Sequence, residues 1–221
     1  MEIKPVAHFR APMSEKFGLP RQAGVAGSLR GTIVLTPEYR HPDALRGLEE
    51  FDYLWLIWEF HLNRETASEG LTVRPPRLGG NERVGVFASR APYRPNRLGL
   101  SSVRIASVDA AKGEIHVLGA DLADGTPIYD IKPYVAYADS HPGARSGFVD
   151  GREWKPLKVD FPREAYHRFS PEELDALGEI LAQDPRPRYQ DDPERIYGLL
   201  FGDRNVRFRV EGDTLTVVGI E

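Results

Sequence analysis

Cysteine is missing from all 221 residues, which removes disulfides, thiolate metal sites and cysteine nucleophiles together. Long apolar runs are missing as well. The longest, Tyr53 to Trp58, is far too short to cross a bilayer as a helix. The start, Met1-Glu2-Ile3-Lys4-Pro5, lacks the apolar centre of a signal peptide, so a cytoplasmic protein is the expectation. No glycine-rich phosphate loop and no dinucleotide fingerprint follows a strand. His61 has no second histidine at ligand spacing, so no metal site is expected. These gaps disfavour a small-molecule hydrolase. An excess of positive charge is also absent: the net charge is −4, and bulk electrostatics recommends no polyanionic partner.

The charge that is present is unevenly placed. Between Arg74 and Arg104 seven arginines stand against one acid, Glu82, a local formal charge of +6. Local basic stripes matter more for phosphate contact than the isoelectric point. Inside this stretch a short strand, Val84 to Ala88, is expected to run into a loop where Pro92 and Pro95 forbid regular hydrogen bonding. The loop carries Arg90, Arg94 and Arg97 as fixed-charge forks, with Tyr93 and Asn96 between them. Gly99 then releases the chain into a strand, Leu100 to Val108. A stiff loop of arginines, an aromatic face and a carboxamide can hold an anionic, base-bearing ligand such as a nucleotide or RNA.

The rest of the first 140 residues reads as short strands joined by Pro/Gly turns: Ile3 to Phe9, Leu29 to Leu35, Phe51 to Phe60 and Glu114 to Leu118. Lys112-Gly113 is a hairpin junction, and Pro42 to Leu48 predicts one short helix with proline in its first turn. Many closely spaced short strands with few helices predict a mainly β fold and a closed or nearly closed barrel. The character changes after residue 140. Ser170-Pro171-Glu172-Glu173 combines an N-cap, an N1 proline and a capping-box glutamate, and Leu174, Leu177, Ile180 and Leu181 supply the apolar stripe of a helix reaching about Gln183. A second helix is expected from Asp191 to about Leu200, then a hairpin of Asn205–Val210 and Thr214–Ile220. The expected division is a barrel over 1–141, a linker over 142–160 and a small α/β appendage over 161–221.

Five further stretches hold candidate site groups. Pro20-Arg21-Gln22 precedes an Ala/Gly-rich loop. Glu59-Phe60-His61-Leu62-Asn63 ends the most apolar strand. Asp121-Leu122-Ala123-Asp124-Gly125 is a turn with two carboxylates three residues apart. Tyr129-Asp130-Ile131-Lys132-Pro133 alternates apolar and charged groups. Gln183-Asp184-Pro185-Arg186-Pro187-Arg188-Tyr189 puts two arginines and a tyrosine on a proline-stiffened segment. Each has an ordinary structural explanation taken alone.

Taken together and in order, Phe17 to Gln22, Arg46-Gly47-Leu48, Thr72 to Asn81, residues 85–101 and Asp124 to Tyr134 resemble the TsaA-like family of tRNA methyltransferases, also called TrmO. Leu181 to Pro187 and Asn205 to Phe208 are similar to the carboxyl-terminal region of its bacterial members. The resemblance implies a single-sheeted β-barrel methyltransferase that uses S-adenosylmethionine, works as a homodimer and N6-methylates N6-threonylcarbamoyladenosine at position 37 of tRNA. By motif position it implies cofactor contacts at Pro20, Arg21, Gln22, His61, Leu62, Arg90 and Leu100, and across Asp121, Leu122, Ala123 and Asp124. Leu62 stands where relatives carry glutamine, and Arg97 where proline is usual.

Methyl transfer from a sulfonium needs in-line alignment more than a covalent nucleophile. The acceptor nitrogen, conjugated to a carbonyl, needs a base or a polarising cation, and Asp130 and Lys132 are the candidates. Arg94 and Arg97 suit the threonyl carboxylate, with Asn96 beside them. Arg186, Arg188 and Tyr189 are expected to position tRNA. The alternative is a non-catalytic RNA-binding barrel.

Overall fold

The computed structural model describes residues 2–63, 71–75, 83–151, 154–187, 190 and 192–221. The strands in chain order are β1 (Ala7–Arg10), β2 (Arg30–Leu35), β3 (Tyr53–Glu59), β4 (Thr72–Val73), β5 (Val84–Gly85), β6 (Leu98–Asp109), β7 (Glu114–Leu118), β8 (Pro127–Pro133), β9 (Lys158–Asp160), β10 (Tyr197–Phe201), β11 (Arg204–Glu211) and β12 (Thr214–Ile220). The helices are α1 (Pro42–Leu45), α2 (Ala136–Asp139), α3 (Ala165–Arg168) and α4 (Pro171–Ala182). Among the described residues no helix is long and apolar enough to cross a membrane.

Six strands close into the expected barrel in the order β1-β2-β7-β6-β3-β8, every pair antiparallel. Period-two alternation sets the wall: Leu54, Leu56 and Trp58 of β3 are buried, while Tyr53, Trp55, Ile57 and Glu59 between them face outward. Large and small residues share the interior. A Cβ on Gly31 would overlap the Phe9 ring, and one on Gly99 the Trp58 indole, so each glycine makes room for the ring across from it.

The second unit is a four-stranded sheet, β10-β11-β12-β9, with β9 parallel to β12. Its main helix α4 starts as its sequence dictates. Ser170 accepts from the Glu173 N–H, and the Glu173 side chain accepts from the Ser170 N–H, a closed capping box with proline at N1. Ala176, Leu177, Ile180 and Leu181 face the core.

Several elements depart from the expectations. β1 begins at Ala7 rather than Ile3, and the strand expected to reach Ala88 turns into a 3-10 helix at Val86–Ala88. α1 stops at Leu45, because the chain enters the left-handed region at Gly47, φ 84°, before a 3-10 turn at Leu48–Glu50. The helix expected up to Leu200 is contradicted: Tyr197, Leu199 and Phe201 alternate inward as β10, paired with β11. Residues 158–160, placed in the linker by composition, form β9.

The appendage does not build its core alone. Met13, Ala26 and Leu29, from the segment before β2, lie in one buried cluster with Leu177, Leu199, Phe208 and Leu215, and Phe17 and Leu19 pack against it. Phe17 stacks on Phe208 with ring centroids 6.4 Å apart. Ser28 donates its backbone N–H and its hydroxyl to the two Glu179 carboxylate oxygens, at 2.8 and 3.0 Å. The loop containing Pro20-Arg21-Gln22 is thus moulded between barrel and appendage.

Candidate functional site

A cavity of about 1940 Å³ opens where that loop meets the ends of β3 and β6 and the arginine loop. Typical small-molecule sites are roughly 300–1,000 Å³, so it has room for two ligands side by side. Its wall includes Pro20, Arg21, Gln22, Leu62, Arg90, Arg94, Leu100 and Asp121 of the expected site residues. The third side is closed by Val149 and Trp154, which no sequence signal foretold, together with Gln183 at the end of α4.

Strand register places the barrel wall. Trp58 and Ser101 both face inward, and the Trp58 indole N–H donates to Ser101 Oγ at 3.0 Å. Ser101 donates in turn to Asp121 Oδ1 at 2.6 Å. Burial pushes the Asp121 carboxyl above the usual carboxylate value; the Ser101 bond, backbone N–H groups including that of Ala23, and the Arg90 charge oppose this without cancelling it. Arg90 reaches across the loop, its Nη1 donating to Gln22 Oε1 at 2.5 Å. Gln22, Arg90, Asp121, Ser101 and Trp58 therefore form one polar line along an otherwise apolar wall.

The other expected cofactor residues serve that wall from behind. Leu122 and Ala123 are buried, Leu122 in the barrel core. Asp124 is exposed; its Oδ1 accepts from the Ala11 N–H at 3.0 Å and its own N–H donates to Met13 O at 2.7 Å, tying down the start of the loop. His61 turns toward the same turn. Thr126 gives its one hydroxyl proton to Ala123 O at 2.7 Å, so its oxygen accepts from His61 Nδ1–H at 3.2 Å, and Nε2 is left as the acceptor nitrogen. Burial lowers the His61 pKa, with Glu59 and Asp124 opposing; the ring is neutral at neutral pH.

The arginines find partners within the chain. Arg94 donates to Val86 O at 3.2 Å and to Ser89 O at 2.7 Å, stapling its own loop. Arg97, at φ 51°, pairs with Glu59 at 3.5 Å. Tyr129 donates to the other Glu59 oxygen at 2.6 Å, and that bond, with burial and the Glu59 charge, pushes the phenol up to about 12. Arg186 forms a two-point pair with Asp184 at 2.9 and 3.0 Å, and its side chain is only 11% exposed. Neither Asn96 nor Arg97 is among the cavity-lining residues. Arg188 and Tyr189 lie outside the described residues.

Asp130 and Lys132 are exposed on the outer face of β8, opposite Ile57 and Trp55 of β3. They do not line the large cavity, although Ile57 does. Within one chain the structure sets them one strand away from it. Among the described residues no group of three or more histidines and carboxylates is placed to hold a metal.

A closed antiparallel barrel with a large cavity walled on one side by an α/β appendage defines a ligand-binding β-barrel. The tRNA-methyltransferase O N-terminal domain matches residues 8–140 and the TrmO C-terminal domain residues 155–221; the chain belongs to this family. A tRNA (adenine(37)-N6)-methyltransferase of Escherichia coli is 39% identical over 230 residues, covering 100% of this chain and 97% of its own. A Pseudomonas aeruginosa protein named for S-adenosylmethionine-dependent methyl transfer is 41% identical over 213 residues, 93% of this chain and 91% of its own. The crystal structure of TrmO from Pseudomonas aeruginosa superposes with a TM-score of 0.79 at 31% identity, over 100% of this chain and 98% of that one.

Proposed function

We propose that the cavity binds S-adenosylmethionine and that the protein methylates N6 of adenosine 37 in tRNA, on the N6-threonylcarbamoyl form of that base, as a cytoplasmic homodimer. The observation that carries this reading is Asp121. A carboxylate held in an apolar wall against the cost of burial is a site for a cationic ligand, and the cavity around it has space for a nucleoside-sized donor and an acceptor base together. Family membership supplies the direction of the chemistry.

Bound S-adenosylmethionine supplies a methyl group already made electrophilic by its sulfonium. The chain then has to align, shield and handle one proton. The Trp58-Ser101-Asp121 line holds the carboxylate in one geometry, and the Arg90–Gln22 bond closes the loop over it, fixing the direction of approach. Apolar Leu62 and Leu98 cover part of the cavity from water. A methyl group accepted at N6 would require the N6 proton to leave. Asp130 and Lys132 are offered for that step, as base and polarising cation, and Arg94 or Arg97 for the threonyl carboxylate; Arg97 would exchange Glu59 for it.

A second copy belongs to this reading. On the outer faces of β3 and β6 Leu100 is 61% exposed and Tyr53 43% exposed, with Ile57 and Trp55 between partly covered strands, an apolar strip suited to a partner subunit. Asp130 and Lys132 border the same strip. Light scattering should give the mass of two chains, and a fully active monomer would remove the dimer. Nucleoside mass spectrometry on tRNA from a deletion strain tests the activity. Threonylcarbamoyladenosine should lack one CH₂, and an unchanged mass would refute the assignment.

A further inference from the structure

The arginine loop ends in a turn whose last residue is an unusual type for its backbone. The Arg97 N–H donates to Arg94 O at 3.0 Å, closing a turn with Pro95 and Asn96 at its corner, where proline is a favoured first residue. Arg97 itself sits at φ 51°, the left-handed position that glycine or asparagine ordinarily fills after such a turn. A strained residue of this kind persists only where its surroundings hold it, and such positions gather at functional sites.

What holds Arg97 lies outside the cavity. Glu59, the last residue of β3, turns one carboxylate oxygen to Arg97 at 3.5 Å, and its other oxygen accepts from Tyr129 Oη at 2.6 Å. The Glu59 and Arg97 side chains are 22% and 35% exposed, so the pair is better shielded than an ordinary surface bridge. The Tyr129 phenol, pushed up to about 12, stays protonated and goes on donating. The backbone repeats the link: the Phe60 N–H donates to Arg97 O at 2.9 Å. The end of the loop is thus tied at one point to both β3 and β8, and neither Glu59, Arg97 nor Tyr129 is among the cavity-lining residues.

The loop tied in this way carries two groups that do line the cavity, Arg90 and Arg94. Arg94 staples the loop to itself through the Val86 and Ser89 carbonyls, and Arg90 leaves it for Gln22 on the opposite wall. Where the far end of the loop is fixed therefore sets where the Arg90 guanidinium stands. We infer that Glu59 is a positioning residue: backed by Tyr129, it latches Arg97 and so holds Arg90 in place from outside the cavity. Glycine at position 97 would relax the backbone but could not form the latch. This rests on the S-adenosylmethionine reading above. It is separate from any contact of Arg97 with an acceptor carboxylate, because it acts on the donor side.

The test titrates the full chain calorimetrically with S-adenosylhomocysteine and follows amide hydrogen exchange without it. Arg97→Gly relieves the left-handed strain, so its thermal midpoint should stay near that of the wild type, yet S-adenosylhomocysteine should bind about fivefold more weakly. Glu59→Gln should weaken it as much, the double variant no further, and Tyr129→Phe less. Arg97→Lys, which keeps the charge, should recover part of the loss. In Glu59→Gln the amides of residues 89–97 should exchange faster while those of β2 and β7 keep the wild-type rate. Unchanged affinity in both single variants, as expected of an arginine that serves only the acceptor, would overturn the latch, and so would additive losses or unaltered exchange in the loop. A wild-type chain that binds no S-adenosylhomocysteine, with loop exchange still faster in Glu59→Gln, would instead overturn the donor-site reading on which the inference rests.

Discussion

The two sides of the cavity are built on different principles. On the barrel side, Trp58, Gly99 and Ser101 hold their places because a closed sheet fixes register, and one slipped residue would turn every side chain to the other face. On the opposite side, Pro20, Arg21 and Gln22 sit on a loop that has no register to hold it. Its positions come from packing into the appendage core through Met13, Ala26 and Leu29, and from the Ser28–Glu179 bonds. Arg90 spans the two through Gln22. The barrel wall should thus fail only when the sheet fails, whereas the loop wall should fail whenever the appendage lets go.

Substitutions can separate the two. The largest effect is expected from Gly99→Leu, which forces a side chain into the Trp58 indole. Overpacking of this kind costs about 3 kcal/mol or more, and a thermal midpoint near the wild-type value would show that the barrel wall is softer than described. Glu179→Ala removes two hydrogen bonds to a carboxylate, each about 1.5–3 kcal/mol when charged. Because the partly buried pair is wetted at its edge, about 2 kcal/mol in all is the expectation. Its main readout should be weaker S-adenosylhomocysteine binding with an intact barrel by circular dichroism; equal affinity would mean that the loop stands unaided. Arg90→Ala should weaken the same ligand at least tenfold, about 1.4 kcal/mol, without unfolding either unit.

The smallest effect is a pH slope. The folded-state pKa of Asp121 is raised by burial, so its stabilising contribution is complete below the unfolded value near 3.8 and is lost as pH rises through the folded value. Asp121→Asn should therefore be more stable than wild type at neutral pH, and the advantage should shrink on acidification. A sulfonium ligand favours the charged carboxylate, so wild-type affinity should fall as pH drops through the same window while that of Asp121→Asn stays flat. Parallel profiles would place the cation elsewhere.

Much of the barrel was legible because its strands alternate cleanly. Glu114–Leu118 was predicted to the residue, and the capping box at Ser170 announced α4. β8 was not recognised as a strand, because its pairing slips opposite Ile57 and Trp58 and two prolines bound it. β10 was misread as a helix because Asp191-Asp192-Pro193-Glu194 imitates a helix start, while the pairing with β11 that decides the matter is not written locally. The site was legible as segments and not as contacts. Asp121 and Arg90 were singled out, but Ser101, the group that holds Asp121, carries no sequence signal beyond its inward parity on β6. For the arginines the partners were the hidden part: a run of cations says nothing about the carbonyls of Val86 and Ser89, or about Glu59 and Asp184, which pair with Arg94, Arg97 and Arg186.

The most direct measurement is methyl transfer in vitro. Purified protein is given S-adenosylmethionine labelled in its methyl group and two tRNA preparations that differ only in whether position 37 is threonylcarbamoylated. Label is expected on the N6-threonylcarbamoyladenosine of the first preparation, little on the second, and far less of it with Arg90→Ala. Protein that binds S-adenosylhomocysteine yet leaves both tRNAs unlabelled, or labels both equally, would contradict it.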